Sequence, residues 1–377
     1  MKFMGSKRWM LSNGLGLLIS RELQSASRFV DLFAGSGAVS AHVAASFRIK
    51  VIAHDLQLFS VILTRSVIER CGAVEHSRIW DAWLLRASRL RSGILMPAWA
   101  GQLGAAQVRK QRAWCTSQPL PVTKAYGGHY FSAEQALWFD ALRQSIPRRE
   151  PAHSLALAAL IRSASECAAA PGHTAQPFQP TTTALPFVQI AWRKNVAVAA
   201  HKALEDIAMR GAQLLGAASV ADANAAAHCV NKGDVVFVDP PYSGVHYSRF
   251  YHVLETIARG NCGVVSGAGR YPARASRPQS RYSMKTTAAG ALQELFATLA
   301  DRDARAIVTF PQRACSNGLS GELVTELAAE RFWVERHWVK SKFSTLGGNN
   351  SQRQAREAAR ELILVLRPKA IRLVPVK

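Results

Sequence analysis

The 377-residue chain is 49% apolar and carries a formal net charge of +22. The apolar share excludes a disordered chain, and the charge points to a polyanionic partner such as nucleic acid. No apolar run reaches the roughly 18–20 residues that span a bilayer, so a cytoplasmic chain with no membrane partner is expected.

In chain order, residues 29–34 read as a strand, followed by the tight turn Gly35-Ser36-Gly37 and a helix from Ala38 to Phe47. Lys50 to Ala53 is a second strand ending at His54-Asp55, and a helix carrying Leu58, Val61, Ile62 and Ile68 follows. This rhythm predicts a doubly wound α/β sheet. Residues 76–224 break it. Helical patterns there cover Ala133 to Ile146 and about Val188 to Leu215, with a Pro- and Thr-rich loop from Ala168 to Pro186. They are read as an inserted, mainly helical target-recognition region, and residues 1–75 and 225–377 as the catalytic domain.

The α/β rhythm returns at Asp234. Val235 to Val238 is a strand, and Ser248 to Arg259 an amphipathic helix with Phe250, Val253, Leu254 and Ile257 on one face. Residues 269–287 are a loop with Arg270, Arg274, Arg277, Arg281 and Lys285 and no acid. A helix from Ala291 to Leu299 and strands at Arg305 to Phe310, Trp333 to Val339 and Glu361 to Arg367 complete the chain. The six cysteines are scattered with no Cys-x-x-Cys pair, so neither a disulfide framework nor a metal site is expected.

Two places carry chemistry. At the first, Gly35 and Gly37 let the chain turn tightly after a strand, and the next helix offers free N–H groups. Asp55, 18 residues after Gly37, is placed to accept hydrogen bonds from ribose hydroxyls. The third glycine of a dinucleotide fingerprint is absent, Ser40 standing in its place, and no Gly-Lys-Ser/Thr follows. A nucleoside ligand without phosphates fits better, S-adenosylmethionine among them. At the second, Asp239-Pro240-Pro241-Tyr242 follows the strand 235–238. A carboxylate, a rigidly held carbonyl and a flat ring can hold an amino group on a planar heterocycle.

Together these residues resemble the D12 class of DNA adenine-N6 methyltransferases, the family of the Dam enzymes. Phe3, Gly5 and Lys7 resemble its N-terminal cofactor motif, and Asp31-Leu32-Phe33-Ala34-Gly35-Ser36-Gly37 its F-x-G-x-G motif. Asp55 matches the ribose-binding acid. Asp222 resembles an acid near the cofactor adenine, and Asp239 to Tyr242 the catalytic D-P-P-Y. Ser248 to Glu255 resembles a post-catalytic segment. Many Dam-type enzymes have Glu-Pro where Asp31-Leu32 stands here.

The resemblance implies a Rossmann-like methyltransferase sheet, S-adenosylmethionine as cofactor and double-stranded DNA as substrate. A cognate restriction endonuclease is an expected partner, and a monomer the expected state. It also implies that Asp239 and the Pro240 carbonyl hold N6 of a flipped adenine while Tyr242 stacks on the base. No Pro-Cys dipeptide is present, which disfavours C5-cytosine chemistry. Cytosine N4, adenine in RNA, or a DNA-binding homologue without turnover are the alternatives. Arg109, Lys110, Arg112, Arg193 and Lys194 in the insert, with the five basic residues of the 269–287 loop, are the candidate phosphate contacts.

Overall fold

The computed structural model describes residues 5, 7–99, 103–342 and 358–369. Phe3 lies outside them. The chain divides into two compact units. One comprises Lys7–Leu56, Gly216–Tyr247 and Gln279–Lys377, and the other Met1–Ser6, Gln57–Leu215 and Ser248–Pro278.

The first unit is built on a seven-stranded sheet. Its strands are β1 (Arg28–Asp31), β2 (Lys50–Asp55), β3 (Ala217–Val220), β4 (Val235–Val238), β5 (Arg305–Pro311), β6 (Phe332–Lys342) and β7 (Ala358–Pro368). The order is β3-β2-β1-β4-β5-β7-β6, and β7 runs antiparallel to both neighbours while β1 to β5 pair in parallel. This is the doubly wound, Rossmann-like sheet the sequence predicts. Strand order reverses between β1 and β4, and ligands of such sheets bind outside the carboxyl ends at that switch.

All four residues of β4 are buried, as a central strand's unbroken Val-Val-Phe-Val run requires. On one sheet face Val30, Val236, Val238, Val308, Phe310 and Leu364 meet Leu292, Leu295, Phe296 and Val324 of helices Ala288–Asp301 and Gly321–Ala329. Each such side chain contributes about 1.5–3 kcal/mol on burial. On the other face the register aligns Asp31 with Phe237, Phe237 with Ile307, Ile307 with Val365, and Pro311 with Glu361. Side chains alternate with period two, so Asp31, Thr309 and Glu361 share this second face.

The second unit is helical. Ala152–Cys167 is buried without a break from Ser154 to Ile161 and packs against Leu58–Ile68 and Val196–Ala208. Ser132 and Gln135 form a capping box on Ala133–Gln144. Glu255 of helix His252–Arg259 accepts the Leu58 and Phe59 N–H groups at 3.2 and 3.0 Å, so a carboxylate closes the start of Leu58–Ile68.

The boundaries differ from the sequence-based partition in three ways. Residues 57–75 and 248–278 cluster with the helical unit, through the Glu255 cap and the packing of Leu58–Ile68 on Ala152–Cys167. The helical segment ends at Leu215 rather than at 224, because Ala217–Val220 pairs with β2 as the edge strand β3. The span 188–215 holds two helices, Leu185–Trp192 and Val196–Ala208, separated where Asn195 caps the second by accepting the Val198 N–H. Among the described residues no helix is long and apolar enough to cross a membrane.

Candidate active site at the carboxyl edge of the sheet

The turn after β1 is held from below by its own acid. Asp31 is 1% exposed; its carboxylate accepts the Ser40 hydroxyl at 2.6 Å and the Phe33 N–H at 3.2 Å. Burial pushes this carboxyl up to about 7, against the pull of those two donors. Gly35 and Gly37 then turn with φ of 52° and 71°, which residues with a Cβ rarely adopt. Helix Ala38–Ser46 starts at Gly37 with no side-chain cap. Asp55, at the end of β2, accepts the Gly35 N–H at 2.8 Å and so ties the glycine turn to the next strand. Of these sequence-nominated residues, Gly35 and Asp55 bond each other directly, while Asp31 and Gly37 bond other residues of the same turn, Phe33 and Ser40 for the first and Ala34 for the second.

Asp222 caps helix Ala223–Ala227, accepting the Asn224 and Ala225 N–H groups at 3.0 and 3.3 Å. The phenol of Tyr282 donates to Oδ1 of Asn224, and the Phe33 ring meets Tyr282 edge-on at 5.1 Å. Phe33 and Asp222 therefore share a neighbourhood through Tyr282 and Asn224, neither of which the motifs single out.

Asp239 stands directly after β4. Thr309 of β5 donates its hydroxyl to Oδ1 of Asp239 at 2.8 Å, and the Lys7 ammonium lies 3.0 Å from the same oxygen. Lys7 also donates to Oε1 of Glu361 on β7. Among the described residues nothing donates to Oδ2 of Asp239, nor to the Pro240 carbonyl. The Lys7 and Glu361 side chains are 4% and 5% exposed and that of Asp239 is 19%, so Asp239 is the member that reaches solvent. Burial alone would lower the Lys7 ammonium, but Asp239 and Glu361 outweigh it and hold it above its ordinary value. Burial pushes the Asp239 carboxyl upward; Lys7 pulls it back and Glu361 adds to the rise.

The rest of the turn is braced from the loop after β5. Fully buried Asn317 donates to the carbonyls of Pro241 at 2.8 Å and Tyr282 at 3.0 Å. Ser316 accepts the Gly244 N–H at 2.8 Å. Tyr242 is half-buried, and its ring meets Tyr247 edge-on at 6.4 Å. Burial raises its phenol, with Lys7 acting in the opposite direction.

Thr309, Asn317 and Glu361 were missed in the sequence because they follow the Asp239 turn by 70 residues or more. Glu361 did leave a sign: it is an acid at the head of the otherwise apolar run Leu362 to Leu366. Gly5 turns with φ 71° ahead of Lys7, and the Lys7 carbonyl accepts the Leu11 N–H, which fixes the lysine at the head of a helical segment.

The basic candidates fall in both units. Arg109, Lys110 and Arg193 are exposed on the helical unit. Arg112 donates to the Gly128 carbonyl, Arg270 to the Ala125 and Lys124 carbonyls, and Lys194 to the Glu166 carbonyl. Arg277 lies 5.6 Å and Arg249 4.6 Å from the Tyr271 ring centre. Arg274 is exposed in a 3-10 turn. In the α/β unit Arg281 pairs with Glu294, and Lys285 is exposed. The 269–287 segment is therefore a structured connection with a two-stranded ribbon, Val265–Ser266 with Tyr271–Pro272, rather than a plain loop.

Among known proteins, the D12 class N6 adenine-specific DNA methyltransferase family matches residues 3–83 and 149–282, more than half of the chain. The type II methyltransferase M.NlaIII of Neisseria lactamica is 28% identical over 280 residues, covering 68% of this chain and 69% of that protein. The modification methylase LlaI of Lactococcus lactis subsp. lactis is 25% identical over 318 residues, covering 78% of this chain but 44% of that protein. The matched segments contain the Gly35–Gly37 turn, Asp55, Asp222 and the Asp239 turn described above. The chain belongs to the D12 class of N6 adenine-specific DNA methyltransferases.

Proposed function

We propose that this chain methylates N6 of adenine in double-stranded DNA, with S-adenosylmethionine as donor, after the target base is flipped out of the duplex. The observation that carries the reading is the pair of open acceptors at one turn. Oδ2 of Asp239 and the Pro240 carbonyl have no donor among the described residues, beside the half-buried ring of Tyr242. The N6 lone pair is delocalised into the adenine ring. Two acceptors on its hydrogens draw the nitrogen towards sp³ character and stabilise the positive charge that develops on it. Tyr242 stacks on the extruded base, worth on the order of 1–3 kcal/mol.

The residues of the first turn fit the cofactor. The uncapped start of helix Ala38–Ser46 leaves N–H groups for a carboxylate, the glycines admit close backbone approach, and Asp55 is an acceptor for ribose hydroxyls. Phe33 and Asp222, both half-buried and sharing the neighbourhood of Tyr282 and Asn224, are assigned to the base of the cofactor. The cofactor supplies an electrophilic methyl group on a sulfonium. The protein's part is to hold donor and amine in line, and much of the acceleration comes from that positioning.

The helical unit is assigned the reading of the target sequence. Exposed Arg109, Lys110, Arg193 and Lys285 are the preferred phosphate contacts, since Arg112, Arg270 and Lys194 are held by backbone carbonyls. The names of the two relatives favour a modification role, hence a cognate restriction endonuclease and work in the cytoplasm. The test is to incubate the protein with unmethylated genomic DNA and labelled cofactor and to identify the modified nucleoside by mass spectrometry. N6-methyldeoxyadenosine supports the reading; label on cytosine alone, or none, refutes it.

A further inference from the structure

We propose that Glu361 is a positioning residue of the methyl-transfer site: it holds Lys7 on Oδ1 of Asp239, so that Oδ2 faces the target amine within a net anionic group. The inference rests on the reading of Asp239 as the amine's acceptor.

Glu361 sits where an apolar residue would serve the fold. It lies in the seven-stranded sheet, paired with Pro311 and Val339, and is 4% exposed beside buried Leu362, Ile363 and Leu364. A carboxylate taken out of water there costs several kcal/mol unless a partner compensates. Its side-chain partner is the ammonium of Lys7, 354 residues away in sequence. Glu361 lies outside the residues that match the family.

The arrangement has a direction. Lys7 is a flexible chain bearing a point charge, and alone it could bind Asp239 through either oxygen. Glu361 anchors it from β7 while the Thr309 hydroxyl, from β5, takes the same Oδ1. Both of these donors therefore fall on one oxygen of Asp239, and among the described residues none falls on the other. Charge follows the same logic. One ammonium between two carboxylates leaves a net charge of minus one, whereas an exclusive Lys7–Asp239 pair would be neutral. A net anion stabilises the cationic nitrogen of the transition state better than a neutral pair does. Among the described residues the titratable groups facing Asp239 are Lys7 before the first helical segment, Asp31 of β1, Tyr242 of its own turn and Glu361 of β7.

The test uses the whole protein with tritiated S-adenosylmethionine and unmethylated genomic DNA. Glu361→Gln should slow transfer about 10- to 100-fold, by analogy with the loss of residues that orient metal ligands, while cofactor affinity measured by calorimetry stays within a few-fold. The acid limb of its pH–rate profile should move to lower pH, because the carboxylate that raises Asp239 is gone; Lys7→Met should move that limb to higher pH. In the Lys7→Met background, Glu361→Gln should cause no further loss. If Glu361→Gln does not fold, the pair of apolar replacements Lys7→Met with Glu361→Leu removes the buried charges together, and should retain cofactor binding while losing transfer. Wild-type rate and pH profile in Glu361→Gln, or an equal further loss in the Lys7→Met background, overturns the proposal alone. A wild-type protein that methylates no adenine overturns the amine-site reading and this proposal with it.

Discussion

Thr309 and Asp239 are joined by a 2.8 Å hydrogen bond from the threonine hydroxyl to Oδ1 of the carboxylate. The bond crosses from β5 to the turn after β4, adjacent strands of the sheet. It turns a proline-ended strand into a carboxylate of fixed orientation.

Thr309→Val keeps the shape of the side chain and removes the donor. The part-buried bond is worth about 0.5–1.5 kcal/mol, somewhat more to a charged acceptor. Stability should fall by that amount in urea unfolding, and the transfer rate by several-fold, since Lys7 still holds Oδ1. An unchanged rate would mean that the Asp239 orientation is set elsewhere.

Asn317→Ala leaves the Pro241 and Tyr282 carbonyls without their donor. A buried carbonyl left unpaired costs about 1–3 kcal/mol. The turn that presents Asp239 and the Pro240 carbonyl should loosen, so kcat should drop more than cofactor affinity does. Steady-state kinetics alongside calorimetric cofactor titration separates the two.

Asp31 gives a pH signature in stability. Its carboxyl is raised from 3.8 to about 7 in the folded protein by burial. The folded state therefore holds a proton that the unfolded state has lost over this window. The stability this contributes is fully present below pH ~4 and is lost as pH rises through ~7. Asp31→Asn cannot titrate, so the wild type should lose stability relative to this variant between about pH 4 and 7. Urea unfolding of both proteins at pH 5 and 7.5 checks the sign. A gap between them that does not change with pH would place the Asp31 carboxyl in the ordinary range.

Glu255→Gln tests the helical unit. The carboxylate accepts two N–H groups at the start of helix Leu58–Ile68. Losing its charge should cost about 0.5–2 kcal/mol, the range for a cap with a favourable helix-dipole term. Hydrogen exchange of the Leu58 and Phe59 amides should accelerate with it.

What could be read in the sequence was what local chemistry writes down. The Gly35–Gly37 turn needs positive φ, β4 needs an unbroken apolar run, and a rigid Pro-Pro pair marks the end of a strand. The edge strand β3 was not legible, because Ala217-Ala218-Ser219-Val220 is short and mostly exposed and has no clear alternation. Helix Ala152–Cys167 was not legible either; Ser154 to Ile161 is buried without a break, so no amphipathic period shows there. At the site, Asp239 and Asp55 stood out by motif, but their partners did not. Thr309, Asn317 and Glu361 reach Asp239, Pro241 and Lys7 only because β5, its following loop and β7 lie beside β4 or beside one another in the sheet. Lys7 was nominated for the cofactor, whereas its ammonium is directed at two protein carboxylates.

The central claim is that Asp239 holds the amine that receives the methyl group. The most direct measurement is nucleoside mass spectrometry of unmethylated genomic DNA after incubation with cofactor and either wild type or Asp239→Ala, with DNA binding of both proteins measured in parallel. The account predicts N6-methyldeoxyadenosine from wild type, none from Asp239→Ala, and similar DNA affinity for the two. N6-methyldeoxyadenosine formed by Asp239→Ala at the wild-type rate would contradict it.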